Sequence, residues 1–332
     1  MKVRKMKEIQ KIGTFNCQGI LTSEVKKRTL ADDFERHGMS FLAIQETHMK
    51  DYGVITIKSS TNKEYTLYYS GNNTKSVNGV GIITEQSRNV TFIPINDRIC
   101  YLTTKVNNKQ TVHVVSAYAP TLAHSEKDPE MREKFYSELE SILRKFKERH
   151  IVFLCGDFNA KIGKQKHDDI YHEVCGSYGK GKPNTNGDSL LNFAKANKLV
   201  ITNTYFKHRV SHRTTWISPN NTQKNQIDFI LIRRNKEIRL KNSRSYGGMH
   251  TSSDHKLVLL QCYFKWPYTK KKKQEAVINL ENLRNDELSH RYQAEVARKI
   301  TNQENSSNQE KLLKKFSGRR KNEMRKTQTQ CF

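Results

Sequence analysis

The sequence is short of acidic residues. It has 33 Asp and Glu against 59 Lys and Arg in 332 residues, which gives a formal net charge of +26. This imbalance disfavours an acidic cytosolic enzyme of small molecules and a secreted domain built on disulfides. It favours a polyanionic partner, which is DNA, RNA or an acidic membrane surface.

Long apolar runs and paired cysteines are also missing. No apolar run approaches the roughly 20 residues that span a bilayer, and no apolar stretch follows the charged start of the chain, so we expect neither a membrane span nor a secretory signal. The six cysteines contain no C-x-x-C pair. We therefore expect reduced thiols in a cytosolic or nuclear protein, without a zinc site.

Short apolar runs and a few helical patterns alternate between residues 11 and 264. Helices are expected at 25–37, after the capping residue Ser23, from Asp128-Pro129 to about 149, and at 187–198. The run 151–159 has no polar alternation, which predicts a strand buried on both faces. Further strands are expected at 11–17, 41–47, 64–69, 80–84, 99–106, 111–118, 199–206, 214–217, 226–232 and 256–264. About ten strands with hairpin-length turns predict two packed β-sheets with helices outside, an α/β architecture.

The composition changes after Phe264, where a run of four lysines (270–273) leads into a polar tail. Residues 265–332 carry 17 basic and 8 acidic side chains. The remainder carries 42 basic and 25 acidic side chains, so both parts are positively charged. We predict a basic N-terminal extension (1–10), one folded domain (11–264) and a basic tail (265–332) that is partly helical or disordered.

Polar side chains follow the predicted strands at several strand ends. Any one of them is most simply a turn or cap residue. Together they offer carboxylate and amide oxygens that suit Mg²⁺, plus a histidine and an aspartate for positioning and proton transfer. The residues are Asn16, Glu46, Tyr118, Asp157, Asn159, Asp228, Asp254 and His255.

The order of these motifs resembles the endonuclease/exonuclease/phosphatase superfamily. The motifs are N-C-Q-G (16–19), Q-E-T (45–47), A-Y-A-P (117–120), G-D-F-N (156–159), T-W (215–216), I-D-F-I-L (227–231) and S-D-H (253–255). The resemblance implies a four-layered α/β sandwich of two packed mixed β-sheets flanked by helices, the DNase I-like fold.

Other segments narrow the resemblance. Residues 176–193, 203–206, 215–219 and 225–232 resemble the endonucleases of non-long-terminal-repeat retrotransposons. The whole chain is similar to the craniofacial development protein 2-like proteins derived from such elements. We expect an endonuclease domain without a reverse transcriptase.

The resemblance implies a metal site. Glu46 would be the main Mg²⁺ ligand, supported by Asn16 and Asp254, with Mn²⁺ as an alternative ion. Asp157 would orient or deprotonate the attacking water. Apurinic endonucleases carry an acidic residue at the place of Gln18. Because this position departs from their pattern, the sequence argues less strongly for a function in DNA repair.

The remaining motif residues are expected at the phosphate. The resemblance implies that Asn159 and Tyr118 hold the scissile phosphate. His255 would contact it and stabilise charge on its oxygens, while Asp228 fixes the imidazole ring and favours its cationic form. Cleavage would then leave a 3′-hydroxyl and a 5′-phosphate.

A basic segment, 207–213, precedes the T-W motif and has the charge needed to contact DNA. The predicted contacts are Lys180, Lys182, Arg209, Arg213 and Trp216. The alternative for each is a solvated basic loop.

These patterns predict a Mg²⁺-dependent endonuclease that nicks duplex DNA, acting as a monomer in the nucleus, with the cytoplasm as the alternative compartment. Three other functions stay open from the sequence. They are an apurinic-site repair endonuclease, a DNA- or chromatin-binding protein with vestigial catalysis, and a phosphatase of small polyanions.

Overall fold

The computed structural model describes residues 9–106, 110–165 and 170–264. These residues belong to the first of two units into which the chain divides, Met1–Pro267. The predicted tail and residues 1–8 of the predicted extension lie outside the described residues. The predicted domain boundaries therefore remain predictions, although Ile9 and Gln10 already belong to the first strand.

Fifteen strands and four α-helices make up the described part of the chain. In chain order they are β1 (Ile9–Asn16), α1 (Glu24–His37), β2 (Phe41–Gln45), β3 (Tyr52–Lys58), β4 (Glu64–Ser70), β5 (Val80–Glu85), β6 (Thr91–Pro94), β7 (Ile99–Lys105), β8 (Thr111–Tyr118), α2 (Leu122–Lys127), α3 (Pro129–Lys145), β9 (Ile151–Asp157), α4 (Thr185–Ala196), β10 (Leu199–Ile201), β11 (Trp216–Ile217), β12 (Lys224–Asn225), β13 (Asp228–Arg233), β14 (Arg239–Tyr246) and β15 (Leu257–Tyr263). No described helix is long and apolar enough to span a membrane.

The strands form two large sheets and one small hairpin. The first sheet has the order β14-β15-β1-β2-β5-β4-β3, the second has the order β10-β13-β9-β8-β7-β6, and β11 pairs with β12. The pairs β1–β2 and β8–β9 are parallel, and the other pairs are antiparallel. Both large sheets are therefore mixed, as predicted.

The two sheets pack face to face, and β9 shows why its sequence lacks polar alternation. Ile151, Phe153 and Cys155 face the other sheet, where they meet residues such as Ile12 and Val258. Val152 and Leu154 point the other way, into a core shared with α3 and α4. Since successive side chains of a strand alternate between faces, a strand covered on both sides is apolar throughout.

Helices cover the two outer faces. On the first sheet, Leu30, Ala31 and Phe34 of α1 pack in one buried cluster with strand residues such as Phe15. On the second sheet, α3 and α4 bury residues such as Leu139. The order is helix, sheet, sheet, helix, which confirms the predicted four-layered sandwich.

The helix ends follow their capping signals. Ser23 accepts a hydrogen bond from the backbone N–H of Lys26, and Gly38 ends α1 with a φ of 59°, in the left-handed region that glycine adopts without strain. Asp128 caps α3 in the same way, with Pro129 at its first position. However, α3 ends at Lys145, not near residue 149, because Phe146 is extended.

The strands that the sequence did not reveal include β3, β6 and β14, which all lie at sheet edges. Edge strands are solvated along one side, so charged and polar residues are tolerated and the apolar pattern is lost. The predicted strand 199–206 was too long. It stops at Ile201, where a 3₁₀ turn follows and the hydroxyl of Thr202 donates to the carbonyl of Ile230.

Strand alternation sends four polar side chains into the space between the sheets. Asn16 continues the inward row of Ile12 in β1, and Asp157 continues the row of Phe153 and Cys155 in β9. Tyr118 and Asp228 stand on the inward rows of β8 and β13 in the same manner. The register pairs Asp157 with both Tyr118 and Asp228. The inter-sheet space is therefore apolar along its length and polar at this end.

Candidate active site

Glu46 stands just past the end of β2 on a tight turn. Its φ is 51°, a left-handed conformation, and its carbonyl accepts a hydrogen bond from the backbone N–H of Gly19 at 2.7 Å. Its Oε1 accepts hydrogen bonds from Asn16 Nδ2 and from the hydroxyl of Tyr118, both at 2.8 Å. Its Oε2 lies 3.7 Å from His48 Nε2. The turn thus directs a half-buried carboxylate toward the polar end of the inter-sheet space.

Asn16 links two carboxylates. Its amide nitrogen donates to Glu46 and also to Asp157 Oδ2, at 3.1 Å, while its Oδ1 accepts from the backbone N–H of Gln18. In this arrangement Asn16 acts as a hydrogen-bond donor to the acidic groups. Its role as an oxygen ligand of a metal remains a prediction.

Asp157 is buried at the end of β9. Its Oδ1 accepts from the backbone N–H of Asn159 at 2.9 Å, and His255 Nε2 lies 3.8 Å from its Oδ2. Burial, and then the charge of Asp228, raise the pKa of Asp157 to about 7, against the opposing effects of His255 and the hydrogen bonds. A carboxylate whose pKa lies near neutrality can accept and release a proton at working pH.

His255 and Asp228 form a buried pair. Both carboxylate oxygens of Asp228 lie 3.1 Å from His255 Nδ1. Burial alone would lower the pKa of His255, but Asp228, followed by Asp157 and Asp254, raises it to about 10. Asp228 therefore favours the cationic form of the imidazole at neutral pH. Thr215 positions the pair, because its Oγ1 accepts from the backbone N–H of Asp228 at 3.1 Å.

Asp254 is held by Trp216. The indole N–H of Trp216 donates to Asp254 Oδ2 at 2.8 Å, and a β-bridge joins Trp216 to His255. Asp254 Oδ1 is buried and accepts no hydrogen bond from a described residue, although it lies 3.6 Å from His255 Nε2. The indole nitrogen of Trp216, predicted to serve DNA contact, is thus engaged by a carboxylate of the site.

The site fits a hard divalent cation. Asp254 Oδ1 is a buried carboxylate oxygen to which no described residue donates a hydrogen bond, and a buried oxygen of this kind ordinarily accepts one. Carboxylate oxygens of Asp157 and Asp228 lie within 4.8 Å of each other, and Glu46 leaves its Oε2 outside the hydrogen bonds of Oε1. Such a set of carboxylate oxygens suits Mg²⁺ or Mn²⁺.

Tyr118 and Asn159 lie beside these acids. The Tyr118 hydroxyl donates to Glu46, burial and then the charges of Glu46 and Asp157 raise its pKa, and the guanidinium of Arg98 lies 5.2 Å from its ring centroid. The amide of Asn159 donates to the carbonyl of Ala119 at 3.0 Å. In the structure Asn159 therefore stabilises its own loop, and its contact with phosphate remains a prediction.

A basic cluster lies next to the site and consists of Lys180, Arg213, Lys224 and Lys256. Burial, and then the charges of the other three, lower the pKa of Lys180. Lys256 follows His255 directly, and its backbone N–H donates to the carbonyl of Thr215 at 2.7 Å. Two of the predicted DNA contacts, Lys180 and Arg213, therefore lie near Lys224 and Lys256, which the sequence analysis did not predict as contacts.

The other two predicted DNA contacts, Lys182 and Arg209, are exposed. Neither of them is among the charged groups that lower the pKa of Lys180 in the described part of the chain. Their role in binding DNA therefore stays a prediction.

Sequence reasoning also missed two residues of the site, His48 and Thr215. Thr215 lies in the T-W motif, which gave a signal for its neighbour only. His48 follows the Q-E-T motif directly, and no pattern marked it. Its importance comes only from the distance to Glu46.

The sequence profile described as the Endonuclease/Exonuclease/phosphatase family matches residues 13–255, which include every predicted metal-binding and catalytic residue. The chain belongs to the endonuclease/exonuclease/phosphatase family. The resemblance seen in the motif order is confirmed.

Two curated relatives are craniofacial development protein 2 from Bos taurus and from Tragulus javanicus. They are 29% and 28% identical over 268 residues, which is 80% of this chain but only 43% and 44% of theirs. The chain therefore spans less than half the length of these relatives of the endonuclease/exonuclease/phosphatase family.

Solved structures share the fold. One is the endonuclease domain of TRAS1, a telomere-specific non-LTR retrotransposon, with a TM-score of 0.54, 14% identity, and coverage of 77% of this chain and 98% of that one. Another is the APE2 catalytic domain of Xenopus laevis, with a TM-score of 0.53, 16% identity, and coverage of 78% and 94%. At these identities the likeness establishes the two-sheet fold of the endonuclease/exonuclease/phosphatase family.

Proposed function

We propose that the protein is a Mg²⁺-dependent endonuclease that nicks one strand of duplex DNA, with Mn²⁺ able to replace Mg²⁺. The observation that carries this proposal is the buried pair His255–Asp228, set against Asp157 and within the same polar end as Glu46. A cationic imidazole can donate a hydrogen bond, and a carboxylate with a pKa of about 7 can accept a proton, so a donor and a base lie side by side. Family membership supports hydrolysis of a phosphoester as the reaction.

The chemistry follows from the charge of the substrate. A phosphodiester is anionic and repels hydroxide, so attack requires that its charge be neutralised and its nucleophile be generated nearby. A divalent cation, when bound, would draw charge from the phosphate oxygens. Asp157 accepts the proton of the attacking water, and His255 donates a hydrogen bond to a phosphate oxygen. Tyr118 would orient the phosphate by turning its hydroxyl from Glu46 Oε1 to a phosphate oxygen.

The basic cluster supports DNA as the substrate. A folded surface that concentrates lysine and arginine beside an acidic site attracts a polyanion and releases its counterions on binding. One solved structure with the same fold, the endonuclease domain of TRAS1, comes from a retrotransposon. By analogy, we propose that the nick opens the target for primed reverse transcription in a parent element.

Plasmid nicking tests the enzyme proposal directly. Supercoiled plasmid is incubated with wild-type protein, Glu46→Ala and His255→Ala in Mg²⁺ or in chelator, with Lys145→Ala on the outer helix α3 as the control. We expect open-circular product only from wild type and the control, and only with metal. Equal and negligible nicking by all four proteins would instead indicate a DNA-binding protein with vestigial catalysis.

A second assay distinguishes the repair function. A duplex oligonucleotide is compared with the same duplex that contains one abasic site. We expect no strong preference for the abasic duplex, because Gln18 stands where apurinic endonucleases carry an acidic residue. Strong preference for the abasic site would make the protein a repair enzyme. We further propose a nuclear monomer, which sedimentation and imaging of the tagged chain would check.

A further inference from the structure

We propose that His48 and Glu46 form a two-residue metal subsite, in which the imidazole of His48 supplies a nitrogen ligand beside the carboxylate. The inference rests on the proposed function, because the cation it describes is the one that the nuclease would use. It predicts a site that accepts transition metals such as Co²⁺ or Zn²⁺ more readily than a site made only of oxygens.

The two oxygens of Glu46 differ in what they contact. Oε1 accepts two hydrogen bonds, from Asn16 and Tyr118, which fix the carboxylate. Oε2 accepts neither of these hydrogen bonds, and His48 Nε2 lies 3.7 Å from it. The free oxygen of an anchored carboxylate therefore faces an imidazole nitrogen.

The distance between these atoms suits a shared cation. Ligand atoms bound at about 2.1 Å lie about 3.0 to 3.6 Å apart when they subtend about 90° to 120° at the ion. The observed 3.7 Å between Nε2 and Oε2 is close to the upper end of this range and is too long for a hydrogen bond. Within the described part of the chain no hydrogen bond engages the His48 ring, so its nitrogens are open to a ligand.

The backbone holds His48 in place. Its φ is 55°, and its backbone N–H donates to the carbonyl of Asn78 at 2.9 Å. Gly19 makes room for the ring, because a Cβ at this position would lie 2.9 Å from His48 Nδ1. Two turns of fixed conformation therefore position the imidazole of His48. Its side chain is 38% exposed, so solvent reaches it.

Gln18, near the same site, contributes no negative charge. Gln18 accepts a hydrogen bond from the backbone N–H of Asp254 at 3.3 Å, so its amide supports the loop and adds no charge. An imidazole ligand beside Glu46 adds no negative charge to the site. Because imidazole suits transition metals whereas Mg²⁺ prefers oxygen, His48 should control which cation binds, with little effect on folding.

Metal binding in the absence of DNA tests the subsite. Calorimetric titrations of Co²⁺ and Mg²⁺ compare wild type with His48→Asn, since asparagine tolerates the left-handed backbone. We expect Co²⁺ affinity to fall at least about tenfold and Mg²⁺ affinity to change less than about threefold. His124→Asn on α2 replaces an exposed imidazole outside the site and should leave both affinities unchanged.

Electron spin-echo spectroscopy of bound Mn²⁺ provides the decisive readout. A directly bound imidazole nitrogen modulates the echo, and this modulation should be present in wild type and in His124→Asn but absent in His48→Asn. If the modulation and the Co²⁺ affinity survive in His48→Asn, the inference is overturned. That outcome is separate from the plasmid assay, since wild type can nick DNA in Mg²⁺ whether or not His48 binds a metal. Conversely, nitrogen coordination in a protein that nicks no DNA would support the subsite while the proposed function fails.

Discussion

Trp216 and Asp254 are joined by a hydrogen bond of 2.8 Å between the indole N–H and Oδ2. The other oxygen, Oδ1, is buried, and none of the residues that the structure describes donates a hydrogen bond to it. An aromatic residue next to a predicted DNA surface thus orients a carboxylate of the site. The relationship separates two roles for Trp216, positioning of Asp254 and direct contact with DNA.

Trp216→Phe distinguishes these roles, because phenylalanine keeps an aromatic ring but has no N–H. A hydrogen bond to a charged group contributes about 1.5 to 3 kcal/mol, so we expect the nicking rate to fall about tenfold or more. DNA affinity, measured by mobility shift without metal, should stay near that of wild type. Loss of affinity with an unchanged rate at saturating DNA would contradict the positioning role.

Asp228→Asn tests the charge of the buried pair. Asparagine keeps the shape of the side chain but removes the main group that raises the pKa of His255 to about 10. The raised pKa keeps the imidazole charged through neutral pH, and its charge is lost as pH rises through about 10. In Asp228→Asn this loss should occur at lower pH.

We expect nicking by Asp228→Asn to fall about a hundredfold or more at neutral pH and the alkaline limb of its pH–rate profile to move to lower pH. Asp188→Asn on the exposed start of α4 removes one negative charge outside the site and is the control. A profile that keeps its alkaline limb in place would show that His255 does not act as a cation.

Lys224→Ala tests the basic cluster. Lys224 is exposed on β12, which pairs with the strand that begins at Trp216. If Lys224 contacts a phosphate, binding should weaken for every DNA sequence, and the slope of log K against log salt should decrease by about 1. Lys145→Ala removes the same charge from the end of α3 and should leave the slope unchanged. Equal slopes for the two variants would place the DNA elsewhere.

His113 gives a stability prediction that is independent of the site. Its ring stacks on Phe146 at 3.7 Å between centroids, and its Nε2 lies 2.9 Å from His150 Nδ1. Burial, and then the charges of His150 and Arg233, lower its pKa to about 3. The folded protein therefore binds fewer protons than the unfolded chain between about pH 3 and about pH 6.5.

The free energy of unfolding should consequently fall as pH drops through about 6.5, with a share of about 1 to 2 kcal/mol from His113 at about pH 5. Urea unfolding of wild type and His113→Gln at about pH 7.5 and about pH 5 measures this share. The variant should lose less stability on acidification than wild type. His124→Gln should lose as much as wild type, and equal losses by all three proteins would exclude His113 as the cause.

Local patterns were sufficient for the central strands and for the helix ends. The run from Ile151 to Asp157 is apolar because both of its faces are covered, and Ser23 and Asp128 mark helix starts through bonds within one turn. Edge strands such as β14 were not predicted, because solvent on one side of the strand permits the polar sequence of residues 239–246. The predicted strand 199–206 failed because side-chain hydrogen bonds of Thr202 and Thr204 end it early.

The sequence by itself determined which residue types stand at the strand ends and in what order, and this order is sufficient to identify the family. Only the tertiary structure decided the pairings, because residues as distant as Asn16 and Asp157, or Trp216 and Asp254, meet through the stacking of two sheets and the return of a loop. Strand periodicity sets the face on which a side chain lies, but not the partner that it meets across the interface. For this reason the sequence predicted an acidic site, whereas the structure placed His48 beside Glu46 and grouped Lys180 with Arg213, Lys224 and Lys256.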